Sequence, residues 1–357
     1  MTVFNANNKG FETKKYPLFF GEELGLFDTV NVAYPEVDKL YHQQMSQIWN
    51  HAEVSLDQDK MDMQRLPNEV VDLMVKTLSW QHLADSVAAQ SISTLLLPHC
   101  TNSELEAMLT AQSLFECIHA MTYSHIVQQT FSDPNKMLKD TYENTHTLIR
   151  SQAIVKAFDD VQALPQDADI EEKRKVLMKA FVALFALEGI AFMSSFAVTF
   201  AIAETDVFQG IGALVALVCR DEVLHTRMDY TVLDYMLKDS DWQTALSESK
   251  DEIKQILDDV TQQELDWSEY LFSEGRQVVG LNETLLKEYV QFMAKPIYDF
   301  LGVEYKFENI AENPLPYMEK YVDPSQMQSA AQEINITSYK VGSIKDDTTD
   351  LDLDFDL

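Results

Sequence analysis

Three pairs of residues in this chain set a carboxylate and an imidazole three positions apart: Glu116/His119, Glu143/His146 and Glu222/His225. On a helix such positions share a face, so each pair can offer an oxygen and a nitrogen to one metal ion. A chain of 357 residues should contain roughly one such pair by chance at average residue usage. Surroundings must therefore discriminate. Glu143/His146 lies in Lys-Asp-Thr-Tyr-Glu-Asn-Thr-His, a water-facing stretch. The other two lie in Leu-Phe-Glu-Cys-Ile-His-Ala-Met and Cys-Arg-Asp-Glu-Val-Leu-His, whose apolar neighbours predict burial. A further carboxylate precedes each of these two. Asp85 precedes Glu116 by almost the same interval that separates Glu188 from Glu222, whereas positions 109–112, the matching interval before Glu143, hold no acid. Four carboxylates and two imidazoles in apolar settings are costly unless paired or metal-bound. Facing one another across four helices, they would build a dinuclear carboxylate site inside a bundle. Oxygen and nitrogen donors without thiolate suit iron or manganese better than structural zinc.

Other side chains fall on the same faces. Tyr123 lies one turn beyond His119, about 6 Å further along the axis. Taken alone it reads equally as a core tyrosine with a bonded hydroxyl. Phe192 and Phe196 follow Glu188 at helical spacing, and Val215 and Val218 precede Glu222 likewise, which predicts a dry apolar wall or simply core.

The elements that must hold these residues are helices. Glycine is scarce, 10 of 357 residues, and no alternating run supports a long strand. Helices are predicted over 37–51, from Pro67 to about Ile92, from Thr101-Asn-Ser-Glu to Gln129, over 136–163, 170–203, 207–238 and 244–274, and from Gly280 to Leu301. Ala180–Ala203 is long enough to span a bilayer and carries one charge, Glu188; a buried central helix explains it better. Residues 1–29 read as an irregular arm, 30–322 as the helical domain and 323–357 as a flexible tail. The tail ends in acidic residues interleaved with Leu351, Leu353, Phe355 and Leu357, a pattern suited to a solvated end or a docking peptide. A formal net charge of −31 disfavours general nucleic-acid binding. Cys100, Cys117 and Cys219 form no CxxC and read as buried free thiols. The N-terminus has no signal-peptide pattern, so a cytoplasmic protein with no membrane anchor is expected.

Phe115-Glu-Cys-Ile-His-Ala-Met-Thr-Tyr-Ser-His125 resembles the ligand-and-tyrosine helix of the radical-generating small subunit of class I ribonucleotide reductase. Arg220-Asp-Glu-Val-Leu-His225 resembles that family's second Glu-x-x-His helix, and Leu187-Glu-Gly-Ile-Ala-Phe-Met-Ser-Ser-Phe-Ala its central helix. The likeness extends from Phe19-Phe-Gly21 to Ser338-Tyr-Lys-Val-Gly. It implies an all-α, ferritin-like bundle and a homodimer. Asp85, Glu116 and His119 would hold one metal; Glu188, Glu222 and His225 would hold the other. The pair is expected to be two irons, with manganese–iron or two manganese ions also compatible. Tyr123 would carry a stable radical made with O2. Trp49 would begin the outward electron path, Asp221 would link it to His119, and Tyr339 would relay the radical to a large catalytic subunit docked through the tail. The family reduces ribonucleotides to deoxyribonucleotides, and a chain of this length has no room for the nucleotide barrel. Two rivals share the bundle: another di-metal oxidase or hydroxylase, and an iron-storage protein. Tyr123 and the Trp49/Asp221/Tyr339 set argue against the first; storage would need a shorter chain, usually a cage-forming surface, and no relay tail.

Overall fold

A computed structural model describes residues 4–323; Tyr339 and the rest of the C-terminal segment lie outside the described residues. The described chain is helical, with only two isolated β-bridges. The helices in order are α1 (Gly10–Thr13), α2 (Pro35–Ser46), α3 (Asp57–Arg65), α4 (Asn68–Ser91), α5 (Ser103–Thr130), α6 (Pro134–Glu143), α7 (Thr145–Arg150), α8 (Gln152–Gln162), α9 (Ile170–Ala186), α10 (Met193–Ala203), α11 (Gln209–Met236), α12 (Ser240–Glu248), α13 (Lys250–Leu271), α14 (Glu283–Leu301) and α15 (Glu319–Val322). α4 packs along α5, α5 along α2, and α10 between α4 and α11. The long helices enclose one continuous apolar core.

Side-chain caps fix many of the starts. Asn102 accepts the Leu105 N–H at 2.9 Å and opens α5. Asp169 opens α9, and Asn282 opens α14. Each cap satisfies a backbone donor that the helix itself leaves free, a gain of about 1 kcal/mol.

The central apolar helix predicted over 170–203 exists, but its ladder is not uniformly α. Residues Leu187–Phe192 form a π turn between α9 and α10. Of its most apolar window, 94% is buried in the protein, so its hydropathy is that of a core helix. The extra residue in the π turn also means that simple four-residue spacing no longer fixes the face of Phe192 relative to Glu188. Phe192, Phe196, Val215 and Val218 are nonetheless all buried.

Other differences from expectation are local. The helix predicted over 136–163 divides at Asn144 and Ser151, because Asn144 turns its side chain back to cap His146 N–H and so starts a new helix. The one predicted over 244–274 divides at Ser249 and begins earlier, where Asp239 caps α12. α3 has no predicted counterpart. Cys117 is exposed, unlike Cys100 and Cys219; it follows Glu116 by one residue, which turns it off the buried face of α5. The N-terminal arm docks through Leu18 and Phe19. Thr101 N–H bonds the Leu18 carbonyl at 2.9 Å, and the Phe19 ring packs on Phe181 at 5.2 Å.

Candidate metal centre

Asp85 on α4, Glu116 and His119 on α5, Glu188 on the π turn, and Glu222 and His225 on α11 are all fully buried. Four separate segments of helix thus aim charge at one point in an apolar interior. Their donor atoms form two overlapping groups: Asp85, Glu116, His119 and Glu222; and Glu116, Glu188, Glu222 and His225. Within each group the atoms lie within 4.8 Å of one another. Donors on opposite sides of an ion with bonds of about 2.1 Å would stand about 4.2 Å apart. Glu116 and Glu222 belong to both groups, so they can bridge two ion positions rather than each serving one, as the sequence had assigned them. Glu143 and His146 are exposed and lie on different helices, separated by the break at Asn144.

Both imidazoles present Nδ1 to the carboxylates. His225 Nδ1 is 2.8 Å from Glu116 Oε1 and 2.8 Å from Glu222 Oε2. His119 Nδ1 is 3.1 Å from Asp85 Oδ1 and 3.0 Å from Glu222 Oε1. The other face of His119 is tied down, with Nε2 lying 3.2 Å from Asp221 Oδ2. If Nε2 carries the proton, Nδ1 keeps its lone pair for the cluster, the usual arrangement of a metal-ligating histidine.

The electrostatics describe a site built for positive charge. Burial pushes the Asp85 carboxyl well above its ordinary range, and burial with the Glu222 and Glu116 charges does the same to Glu188. Burial also opposes the charge on Glu222, yet His225 and His119 hold it below the usual carboxylate range. Burial would lower both imidazoles; Glu222 reverses this at His119, and Glu222 with Glu116 lifts His225 to about 10. Asp85 Oδ2, both oxygens of Glu116 and Glu188, and Glu222 Oε1 make no hydrogen bond, although some lie close to an imidazole. Buried polar atoms left this way call for an ion. Four carboxylates match the charge of two divalent cations, so the donor set fits a dinuclear centre.

Tyr123 is buried on the same helix as Glu116 and His119, and its hydroxyl makes no hydrogen bond. Burial raises its phenol well above the ordinary value, and of the neighbouring charges Asp85 acts most strongly. Its ring stacks 6.2 Å from that of His82. Trp49 Nε1–H donates to Asp221 Oδ2 at 2.6 Å. Asp221 is therefore a buried link between Trp49 and His119, whose rings lie 6.2 Å apart. Sequence reasoning missed Arg220, which donates to Asp221 Oδ1 at 3.3 Å and to the Gln47 carbonyl at 2.7 Å. It also missed Asp229, a buried carboxylate one turn beyond His225. A count of helical spacing from His225 would have found it.

The model of the family described as ribonucleotide reductase, small chain, matches residues 26–314. The ribonucleoside-diphosphate reductase subunit beta of Buchnera aphidicola subsp. Baizongia pistaciae is 30% identical, over 98% of this chain and 97% of its own length. Among solved structures, the ribonucleotide reductase R2 subunit from Clostridium botulinum aligns with TM-score 0.78 at 19% identity, covering 90% of this chain and 98% of that one. The dimanganese(II)-NrdF of Streptococcus sanguinis aligns with TM-score 0.67 at 17% identity, over 85% and 100% of the two chains. These structures share the helical fold described above. A family match over most of the chain and a full-length relative agree with a bundle that gathers four carboxylates and two imidazoles, and on these grounds the chain belongs to the ribonucleotide reductase small-chain family, the beta subunit of an oxidoreductase acting on ribonucleoside diphosphates.

Proposed function

We propose that this subunit makes and stores a tyrosyl radical on Tyr123 and passes its oxidising equivalent to a large catalytic subunit. The observation that carries the reading is the sharing of Glu116 and Glu222 between two donor groups, one containing Asp85 and His119 and the other Glu188 and His225. Two metal ions bound there would supply, with O2, the power to take one electron from the phenol. Two irons are the first expectation; the dimanganese(II) relative keeps manganese in view.

The chain's own residues set the rest. Burial and the nearby carboxylates keep Tyr123 a neutral phenol, so loss of its electron must be accompanied by loss of the hydroxyl proton. Asp85 is the neighbouring carboxylate whose charge acts most strongly on the phenol, which makes it the nearest protein base for that proton in this reading. The apolar packing around Tyr123 excludes water and small reductants that would quench the radical. Trp49, Asp221 and His119 form the start of the outward path, and the bond from Trp49 Nε1 to Asp221 gives the indole proton a place to go when the ring is oxidised. Tyr339 continues that path, and the C-terminal segment docks the large subunit in this same reading; a homodimer and a cytoplasmic setting complete it.

Tyr123→Phe removes one hydroxyl and keeps the ring. The variant should fold, bind the same number of metal ions and consume O2, yet give no stable tyrosyl signal in an electron-spin-resonance spectrum. A wild-type signal in that variant would assign the radical to another residue.

A further inference from the structure

A second buried charge lies apart from the six donor residues. Arg150, the last residue of α7, is 2% exposed. Taking a guanidinium out of water costs several kcal/mol unless it is paired. Its Nε and Nη2 donate to Oε1 and Oε2 of Glu264 on α13, each at 2.6 Å, a planar two-point pairing. The rings of Trp80, 3.5 Å away, and Trp267, 4.8 Å away, cover the guanidinium. A buried pair of this kind is seldom needed for stability, because well-packed apolar residues often serve as well. What it supplies is direction. The remaining Nη2 hydrogen of Arg150 points into a cluster of three acceptors, the Ala191 carbonyl at 3.0 Å and the hydroxyls of Ser194 and Ser195 at 3.1 and 2.8 Å, which share it. The Ser194 hydroxyl lies 3.0 Å from the same carbonyl and also contacts Glu264.

Ala191 is inside the π turn, three residues after Glu188. A π turn inserts one residue into the helical ladder and widens it locally. At its Ala191 carbonyl two side-chain donors converge, Arg150 and Ser194, and Arg150 is the charged one. The Glu188 oxygens face the Glu222 and Glu116 carboxylates and no basic side chain among the described residues ties them down, so the backbone that carries Glu188 largely sets its position. The same turn is pressed against its neighbours at Gly189, where an added Cβ would come 2.9 Å from Ile297 Cδ1 and 3.3 Å from Thr226 Cγ2.

We propose that Arg150, braced by Glu264, is a positioning residue that holds the π turn through the Ala191 carbonyl and thereby sets where the Glu188 carboxylate meets the ion beside His225. This rests on the reading of Glu188 as a metal ligand. The test is titration of the full-length chain with Mn2+ in the absence of O2, following free Mn2+ by electron spin resonance. Wild type should bind two ions, and Glu188→Ala should show what loss of the second alone looks like. Arg150→Met combined with Glu264→Met removes both charges and leaves neither buried alone. It should keep its helical circular dichroism and a cooperative melt, bind the first ion as wild type does, and bind the second at least tenfold more weakly. Arg150→Lys keeps the charge but loses the two-point geometry and should fall between; it carries the test if the double variant does not fold. Wild-type affinity for both ions in a folded variant, or equal weakening of both, would overturn the positioning role alone. Failure of wild type to bind two ions would overturn the dinuclear reading and this inference with it.

Discussion

Glu222 and Glu143 each stand three residues before a histidine, and burial separates them. Glu222 lies among fully buried donors, its charge held by two imidazoles; Glu143 is exposed and forms a surface ion pair with Lys139 at 3.5 Å. Because Glu222 belongs to both donor groups, Glu222→Ala removes a ligand from each ion position. Metal per chain should fall from two ions to one or fewer, measured by elemental analysis after anaerobic loading. Glu143→Ala should leave it at two and shift stability by no more than about 0.5 kcal/mol. Equal metal loss in the two variants would refute the assignment of the site. This contrast was legible in the sequence because apolar neighbours forecast burial. The sharing of Glu116 and Glu222 was not, since spacing along a helix says which face a carboxylate takes but not which of two ions it reaches across the bundle. Asp221 was visible only through family resemblance: its position beside Arg220 reads as surface, and its burial depends on Trp49, a distant part of the chain.

At the scale of elements, the long apolar helices were predictable from periodicity and the short polar one was not. α3, Asp57-Gln-Asp-Lys-Met-Asp-Met-Gln-Arg65, has no apolar stripe because its work is polar. Asp59 accepts the N–H groups of Gly210 and Ile211 at 3.1 and 2.8 Å, and Asp62 accepts that of Phe208 at 3.0 Å. Three free donors at the start of α11 are thereby satisfied, and their partial positive charge meets two carboxylates. α11 carries Glu222 and His225, so α3 anchors two of the six donor residues from outside the site. Asp59→Ala leaves a buried N–H at Ile211 and a half-buried one at Gly210 unpaired and should cost about 1–2 kcal/mol, lowering the melting temperature by a few degrees. Gly210→Ala should cost more. A Cβ there would meet Asp59 Oδ2 at 2.4 Å and the Ser55 carbonyl at 2.5 Å, and backbone cannot step aside as a side chain can. A thermal melt in which Gly210→Ala matched wild type would show that the α3–α11 contact is loose. The π turn escaped prediction for a different reason. Glu188 is the one charge in Leu187-Glu-Gly-Ile-Ala-Phe192, but a single charge does not shift helical periodicity, and the partner of the Ala191 carbonyl, Arg150, comes from a separate helix.

For the whole molecule, the central problem is distance. The proposed radical is buried at Tyr123, inside the bundle, while reduction takes place on another subunit. One electron cannot cross that span in a single step, so the path needs redox residues between, and one of them must stand where the subunits meet. Tyr339 and the leucine-spaced end from Leu351 to Leu357 both follow the last described helix, α15, which is itself fastened to the bundle. Lys320 pairs with Glu204, and the Tyr321 ring stacks on Phe200 at 3.7 Å. The C-terminal segment therefore starts from a fixed point on the domain. Two separable tasks are then expected of it: docking by the apolar residues at the end, and electron transfer by Tyr339. Removing the last seven residues should weaken association with the large subunit, and an excess of that subunit should restore part of the turnover. Tyr339→Phe keeps the ring but makes oxidation at that position far harder. It should leave the Tyr123 signal and the association unchanged, abolish turnover, and resist rescue by excess partner. Association measured by sedimentation, radical content by electron spin resonance and turnover by deoxynucleotide formation distinguish the two losses; substantial reductase activity in Tyr339→Phe would route the electron elsewhere.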